Sequence, residues 1–493
     1  MNARWWICGL SLALAACGGG GNSAESVVDP TSGEWAQICS VDNALAGDAL
    51  RPTRVGTLSD ERQWIKAYLH ERYLWYKDMP VVDAQAARYN LTDQNPQLNF
   101  SGSVLNYFKD LLNPRYTESG KKVDQFSFMT STDSWTRFAE GDELGYGWLL
   151  NEQGTGSSRR IWVTYVYPTT EQGLAAQAGL RRGDEIVRVD GFDVSDAGNK
   201  ARVDRVLAPY TSTAYPFVIR RNGELMPFTL TARDVTLPEA EHKLVTDSQG
   251  VKWGYLLFNS HVRSADGPLR AALSAFKTQP IDQLVLDLRY NGGGYLALAS
   301  ALAQAVAGAS RTQGKTFERV RYNDKRSSED ESMPFYRLGL SGQAFTTLNL
   351  SKIYVLTSDQ TCSASESIIN GLRGVDVQVV QIGGPTCGKP YGFVPQDNCG
   401  MTYAAMEFEG VNHKGEGGFA DGLQPQCAVT EDLSQTLGDP GEALFAAAIA
   451  QHHGEACAST MASRALASSA IRGMGVGPMK HIRPDWTQTK ILR

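Results

Sequence analysis

The spacing of apolar and polar positions changes several times along the chain, and each change marks an element. From Ser59 an acidic first turn, Asp60-Glu61, precedes Trp64, Ile65, Tyr68 and Leu69 at helical spacing. An aromatic cluster, Tyr73-Leu74-Trp75-Tyr76, and then Pro80 close this helix, and its stripe reads as a docking face. A second short helix is predicted over 104–112, stopped by Asn113-Pro114. Beyond about Gly145 the texture becomes strands and glycine turns. The pattern predicts a strand over 161–167, a short helix over 174–180, a turn at Arg182-Gly183-Asp184 and a strand over 185–189.

After Arg233 a longer block alternates strand, turn and helix. Strands are predicted over 251–258, 283–288, 352–357 and 377–382, and helices over 268–277 and 296–306. The run QLVLDL at 283–288 is continuously apolar, as in a strand buried on both faces. Such alternation indicates an α/β core whose site lies where loops leave the strand ends. The charged stretch 319–331 has no period and reads as an exposed loop, residues 430–455 read as helical, and the last thirty or so as loosely ordered.

Composition refines this picture in two places. Forty-seven basic against fifty-three acidic residues give a net charge of −6, which removes the electrostatic case for nucleic acid. At the N-terminus Arg4 precedes an apolar run from Trp5 to Ala16, too short to span a bilayer and suited to a secretory leader. The run ends in Leu14-Ala15-Ala16-Cys17, followed by a Gly/Ser-rich tether, and resembles a bacterial lipobox. That resemblance implies cleavage before Cys17 and lipid attachment there. With Gly18 in place of Asp it implies the outer membrane of the cell envelope, facing the periplasm or the surface. Of eight cysteines, six remain after Cys8 and Cys17: Cys39, Cys362, Cys387, Cys399, Cys427 and Cys457. An even number in an oxidising compartment suggests disulfides, with Cys362–Cys387 and Cys399–Cys427 the expected pairs. No CxxC or HxxxH spacing supports zinc, and no metal or other cofactor is expected.

The chemistry concentrates in residues 357–392. A small-residue turn, Cys362-Ser363-Ala364-Ser365-Glu366, leads into a helical pattern with Ile368, Ile369 and Leu372 on one face, and a later glycine turn carries Lys389. Four readings compete. GGPTCGK at 383–389 formally satisfies a P-loop, but Pro390 stands where Mg²⁺ would need a hydroxyl, so no nucleotide is expected. Ser274 and Lys277 form an SxxK match on an amphipathic helix face without a KTG partner. There is no GxSxG elbow, and the seven histidines show no triad spacing. A serine with a lysine base remains, and it needs the lysine neutral although its solution pKa is about 10.4.

Three pieces support that fourth reading: LVLDLRYNGGG, TCSASES and TCGKP. In this order, downstream of AAQAGLRRGDEIVRVDG, they resemble the C-terminal-processing (tail-specific) serine peptidase family; the last string resembles a PDZ domain. The resemblance implies an α/β and α+β multidomain protein, with a crotonase-like α/β protease core, an inserted or preceding PDZ β-domain and an N-terminal helical region. The expected boundaries are 1–16 leader, 17–33 tether, 34–135 helical region, 144–234 PDZ domain, 235–455 protease core and 456–493 tail. It implies Ser363 as nucleophile, Lys389 as general base, and backbone N–H groups of Ala364 and Gly293 as oxyanion donors. The family often places a glutamine four residues after the lysine. Phe393 stands there, leaving Glu366 or Gln396 to orient the base. In the PDZ domain, Leu144-Gly145-Tyr146-Gly147 would hold a terminal carboxylate while the peptide adds a strand. The implied partners are proteins or peptides with free C-termini, and the membrane through Cys17. The rival expectation is a non-catalytic, protease-like PDZ lipoprotein that binds envelope protein C-termini.

Overall fold

The computed structural model of the chain describes residues 31–457 apart from 93–94, 169–172, 210 and 237, together with 480–481 and 490–491. The expected leader, Cys17, nearly all of the tether and most of the tail lie outside the described residues. Among the described residues no helix is long and apolar enough to cross a membrane.

The centre is a six-stranded sheet in the order Ala240–Thr246, Lys252–Phe258, Gln283–Asp287, Lys352–Thr357, Gln378–Gly383 and Cys427–Ala428. The first pair is antiparallel and every later pair is parallel. Alternate residues of each strand feed two different clusters. Leu284, Leu286, Ile353 and Val355 pack with the helices Leu296–Ala307 and Ala364–Gly374. Val285, Tyr354 and Leu356 pack with Leu444 and Phe445 of the helix Ala443–His452. Both faces are therefore covered, which is why QLVLD is apolar without alternation. Parallel strands also bring their C-terminal ends to one edge. The turns at 288–293, 358–363 and 384–389 all leave the sheet there.

The N-terminal region supplies the helices Leu58–Arg72 and Pro96–Asp110. The second starts well before the predicted 104, because Asn95 accepts from the Leu98 N–H (2.8 Å) and Pro96 fits the first turn. The region is not purely helical: the strand Phe128–Ser131 pairs with Met401–Ala404 of the core. A β-rich module follows. Its entry strand, Asp142–Gly145, pairs with its exit strand, Arg233–Thr236, so the module is inserted into the core rather than strung ahead of it. Its main sheet runs Glu224–Thr231, Ala214–Arg221, Glu185–Val189, Arg160–Val166 and Trp148–Gln153, with the helix Lys200–Leu207 packed by Val203, Val206 and Leu207.

Four expectations change. The stretch read as a loop at 319–331 contributes to a hairpin, Thr316–Tyr322 with Glu331–Pro334; exposed Arg319 and Arg321 flank inward Val320. Residues 430–455 are helical only over Ala443–His452. Within the tail read as loosely ordered, Lys480–His481 and Lys490–Ile491 are strands. Cys399 does not bond Cys427: the bridges are Cys39–Cys399, Cys362–Cys387 and Cys427–Cys457. Cys399 sits in the tight turn between Gln396–Asn398 and Met401–Ala404. There Asn43 Nδ2 donates to its carbonyl (2.9 Å), beside the strand Ile38–Ser40. Cys427, on the sheet's last strand, faces the chain leaving Ala443–His452.

The Cys39–Cys399 bridge closes a loop of 360 residues between the N-terminal region and the core. Replacing both cysteines with alanine should cost about 2–5 kcal/mol. Calorimetry under oxidising conditions should therefore show a lower Tm, and an unchanged Tm would remove the bridge from the stabilising contacts.

Candidate active site

Ser363 stands at the junction of the turn after Lys352–Thr357 and the helix Ala364–Gly374. Its backbone has φ 64° and ψ −115°, a conformation that costs a non-glycine residue about 1–3 kcal/mol. The surroundings enforce it. Asn291 O accepts from the Cys362 N–H (3.0 Å) and the Ser365 hydroxyl (3.0 Å), and Ser363 O accepts from the Ser367 N–H (2.9 Å). Ser363 Oγ is buried and has no hydrogen-bond partner among the described residues. Ala364 opens the helix, so its N–H is one of the donors a helix leaves unpaired at its start.

The Glu366 carboxylate joins this turn to the next one. Its Oε2 accepts from the Ser363 N–H (2.8 Å) and the Lys389 N–H (2.9 Å), and its Oε1 from the Gly388 N–H (3.0 Å) and the Thr386 hydroxyl (2.5 Å). Complete burial raises its pKa, and those four donors pull the other way. The Cys362–Cys387 bridge ties the same two turns, with Cα atoms 5.2 Å apart. Cys362, Glu366 and Cys387 stand within metal-ligand reach of one another, but both sulfurs are consumed in the bridge. Gly388 has φ 90°, and a Cβ there would lie 2.2 Å from Ala420 O, so only glycine admits this approach.

Lys389 is fully buried, and its ammonium position lies 5.1 Å from the Phe126 ring centroid and 5.5 Å from that of Phe393. Gln396 sits in the strand paired with Met401–Ala404, its Nε2 donating to Val394 O at 3.5 Å. Glu366 holds the backbone of Lys389, and aromatic rings line the side chain.

The glycine turn departs from expectation. The Gly293 N–H donates to Asn291 Oδ1 (2.9 Å), so this donor is committed inside the turn rather than presented to a substrate carbonyl. Asn291 Nδ2 in turn donates to Phe258 O (2.8 Å), and its Oδ1 also meets His261 Nδ1 (3.0 Å). His261 further brackets the turn through its backbone: its N–H donates to Gly293 O (2.9 Å), and its carbonyl accepts from the Tyr295 N–H (2.8 Å). A Cβ on Gly294 would lie 2.4 Å from that carbonyl. His261 Nε2 is buried without a partner among the described residues. Sequence spacing missed His261 and Asn291. The available signal was position: His261 follows the C-terminal end of Lys252–Phe258, at the same sheet edge as the other turns.

In the module, Leu144 and Gly145 belong to the entry strand paired with Arg233–Thr236. Of the four residues expected to form a carboxylate loop, Tyr146-Gly147 lie between strands, just ahead of Trp148–Gln153. Tyr146 is buried, its hydroxyl donating to Val206 O (3.0 Å) on the module's helix.

With this geometry in view, residues 252–425 match the family described as peptidase family S41, and residues 60–128 match the peptidase S41 N-terminal domain. The chain carries peptidase family S41 domains. Curated relatives include carboxyl-terminal-processing proteases of Synechocystis sp. (26% identical over 244 residues, 48% of this chain and 53% of the relative) and Picosynechococcus sp. (25% over 244 residues, 48% and 54%). The chain spans about half the length of the curated relatives it matches. A solved Bacteroides fragilis protein named for the S41 protease family shares the fold, with a TM-score of 0.60 and 23% identity over 79% of this chain and 97% of that one.

Two substitutions probe this arrangement of turns. Glu366→Gln leaves an amide NH₂ facing two of the four donors and should lower stability by about 2–5 kcal/mol in denaturant titration; an unchanged midpoint would deny Glu366 its joining role. Burial lowers the His261 pKa from 6.5 to about 3. As pH falls between those values the unfolded chain takes up a proton that the folded chain refuses, so stability present above about 6.5 is lost through this window. His261→Gln should flatten the stability–pH slope between pH 6 and 4, and an unaltered slope would show that His261 is not buried neutral.

Proposed function

We propose that the protein is a serine endopeptidase of the C-terminal-processing type, with Ser363 as nucleophile and Lys389 as base. The observation that carries this reading is the serine turn. A buried hydroxyl without a hydrogen-bond partner among the described residues stands on a backbone held at positive φ, and Glu366 and a disulfide lock it to the turn of a buried lysine.

In this mechanism neutral Lys389 takes the Ser363 proton as Oγ attacks the scissile carbonyl. The oxyanion is met by the Ala364 N–H, reinforced by the N-terminal end of its helix, and by an N–H of the 292–294 turn other than that of Gly293. Collapse of the intermediate transfers the proton from Lys389 to the leaving amine and leaves an acyl-serine. Water, deprotonated by the same lysine, then releases the new C-terminus. Phe126 and Phe393 keep bulk water from the amine between these steps.

The module at 144–234 serves in this reading as a PDZ-type receptor, in which a substrate C-terminus adds a strand to Trp148–Gln153 ahead of the Tyr146-Gly147 turn. The string Leu14-Ala15-Ala16-Cys17 supports reading the enzyme as a lipid-anchored protein of the bacterial envelope, where disulfides persist. Its substrates are exported proteins with unstructured C-terminal ends.

Ser363→Ala and Lys389→Ala should each reduce cleavage of a protein bearing an unstructured apolar tail by at least about 10⁴-fold, as followed by mass spectrometry of the products. Peptide binding should survive in both. Turnover persisting in either variant would sink the pair, whereas wild-type protein that binds and never cleaves would favour the binding lipoprotein.

A further inference from the structure

Two short strands far along the chain lie on the edge that the proposed function assigns to a substrate C-terminus and beside the glycine turn that it assigns to the oxyanion. Lys480–His481 extends the module's sheet beyond Trp148–Gln153, antiparallel, with Lys480 opposite Glu152 and His481 opposite Asn151. The chain there advances toward Trp148, and so toward the Tyr146-Gly147 turn, the direction expected of a peptide adding its strand to this edge. Lys490–Ile491 then pairs in parallel with Gly294–Tyr295, the residues that close the glycine turn. It also packs against Tyr391–Gly392, the strand that begins two residues after Lys389. The chain from His481 to Lys490 can bridge at most about 30 Å, so one short segment reaches both places.

We propose that the segment carrying Lys480–His481 and Lys490–Ile491 is an intramolecular competitor, which lies as an added strand on the peptide-binding edge Trp148–Gln153 and against the glycine turn at Gly294–Tyr295, and must leave before a substrate can enter. The inference rests on the peptidase reading for what is blocked, but the docking itself is independent of catalysis. An open strand edge is a template for any extended chain, and a tethered segment meets it at an effective concentration that a free peptide seldom matches. Composition adds an electrostatic bias. Residues 480–493 hold four basic side chains (Lys480, Arg483, Lys490 and Arg493) and one acidic (Asp485), in a chain whose net charge is −6. A competitor of this kind removes a fraction of molecules from the receptive state. The apparent KM and peptide Kd rise by the inverse of the receptive fraction, and kcat is untouched.

The test compares the full chain with a form ending at residue 479, each as wild type and as Ser363→Ala. In the Ser363→Ala pair a fluorescent peptide with a free apolar C-terminus should bind the shortened form at least about 10-fold more tightly. In the active pair the shortened form should show a KM lower by a similar factor and the same kcat, and a synthetic peptide of residues 480–493 should restore the higher KM. His481→Pro together with Ile491→Pro, which removes two strand N–H groups from the intact chain, should reproduce the gain if the shortened form folds poorly. Equal peptide affinities across these forms would overturn the inference. So would loss of the segment from wild type but not from Ser363→Ala, which would make it a substrate. A shift in binding without cleavage in any form would uphold the competitor and defeat the peptidase reading instead.

Discussion

Four donors converge on the Glu366 carboxylate, and the geometry of the serine and lysine turns follows from that convergence. Each turn alone is improbable: one holds a serine at positive φ, and the other bends at Gly388 hard against Ala420. A carboxylate that accepts two backbone N–H groups from the lysine turn and one from the serine turn offsets the strain in both, because charge-assisted hydrogen bonds in a water-free interior are strong. The disulfide beside it fixes the same distance covalently. The backbones of Ser363 and Lys389 are therefore located by a group that does not itself react in the proposed chemistry.

Beneath the turns lies a second buried charge system. Arg289, fully buried, lies 2.8 Å from Asp287 and 2.7 Å from Glu442, with Glu431 at 3.2 Å. Arg182 enters from the β-rich module, donating to the Tyr290 hydroxyl (2.6 Å) and to Glu431 (2.7 Å). Burying so many charges carries a desolvation cost that their pairing offsets only while every partner is present. Asp287, Arg289 and Tyr290 lead directly into the glycine turn, so the network fixes where that turn leaves the sheet. It also adds a joint of matched charges to the apolar cluster that the module and the core share.

Parts of this arrangement were legible in the sequence because they depend on local pattern. Buried parallel strands need uninterrupted apolar residues, and Ser363 and Lys389 lie in short strings whose meaning comes from their order. What escaped depends on which turns meet in space. Nothing near Cys399 points to Cys39, 360 residues away. Gly293 is the oxyanion donor that the family resemblance implies, and only the position of Asn291 Oδ1 shows its N–H to be engaged. The Thr316–Tyr322 strand was hidden because its exposed face carries the charges that made the stretch look like a loop. The paired residues near 480 and 490 have no apolar alternation to announce them, since edge strands are held by backbone pairing more than by side chains.

Phe393 shows how the N-terminal region enters the site. At the position where the family resemblance would place a glutamine, Phe393 is fully buried, its ring packed edge-on against Phe128 (5.4 Å) and Trp135 (5.8 Å). Both lie upstream of the β-rich module, as does Phe126, the other ring near the lysine amine. Lys121 adds a hydrogen bond to Cys387 O (3.3 Å) in the lysine turn itself. An amide side chain at 393 would leave polar atoms unpaired among these rings, at a cost of about 1–3 kcal/mol. A phenyl ring completes the apolar wall instead, while Glu366 holds the Lys389 backbone through its N–H. The N-terminal region is thus one side of the lysine's chamber, and the strand Phe128–Ser131 and the Cys39–Cys399 bridge hold that side against the core.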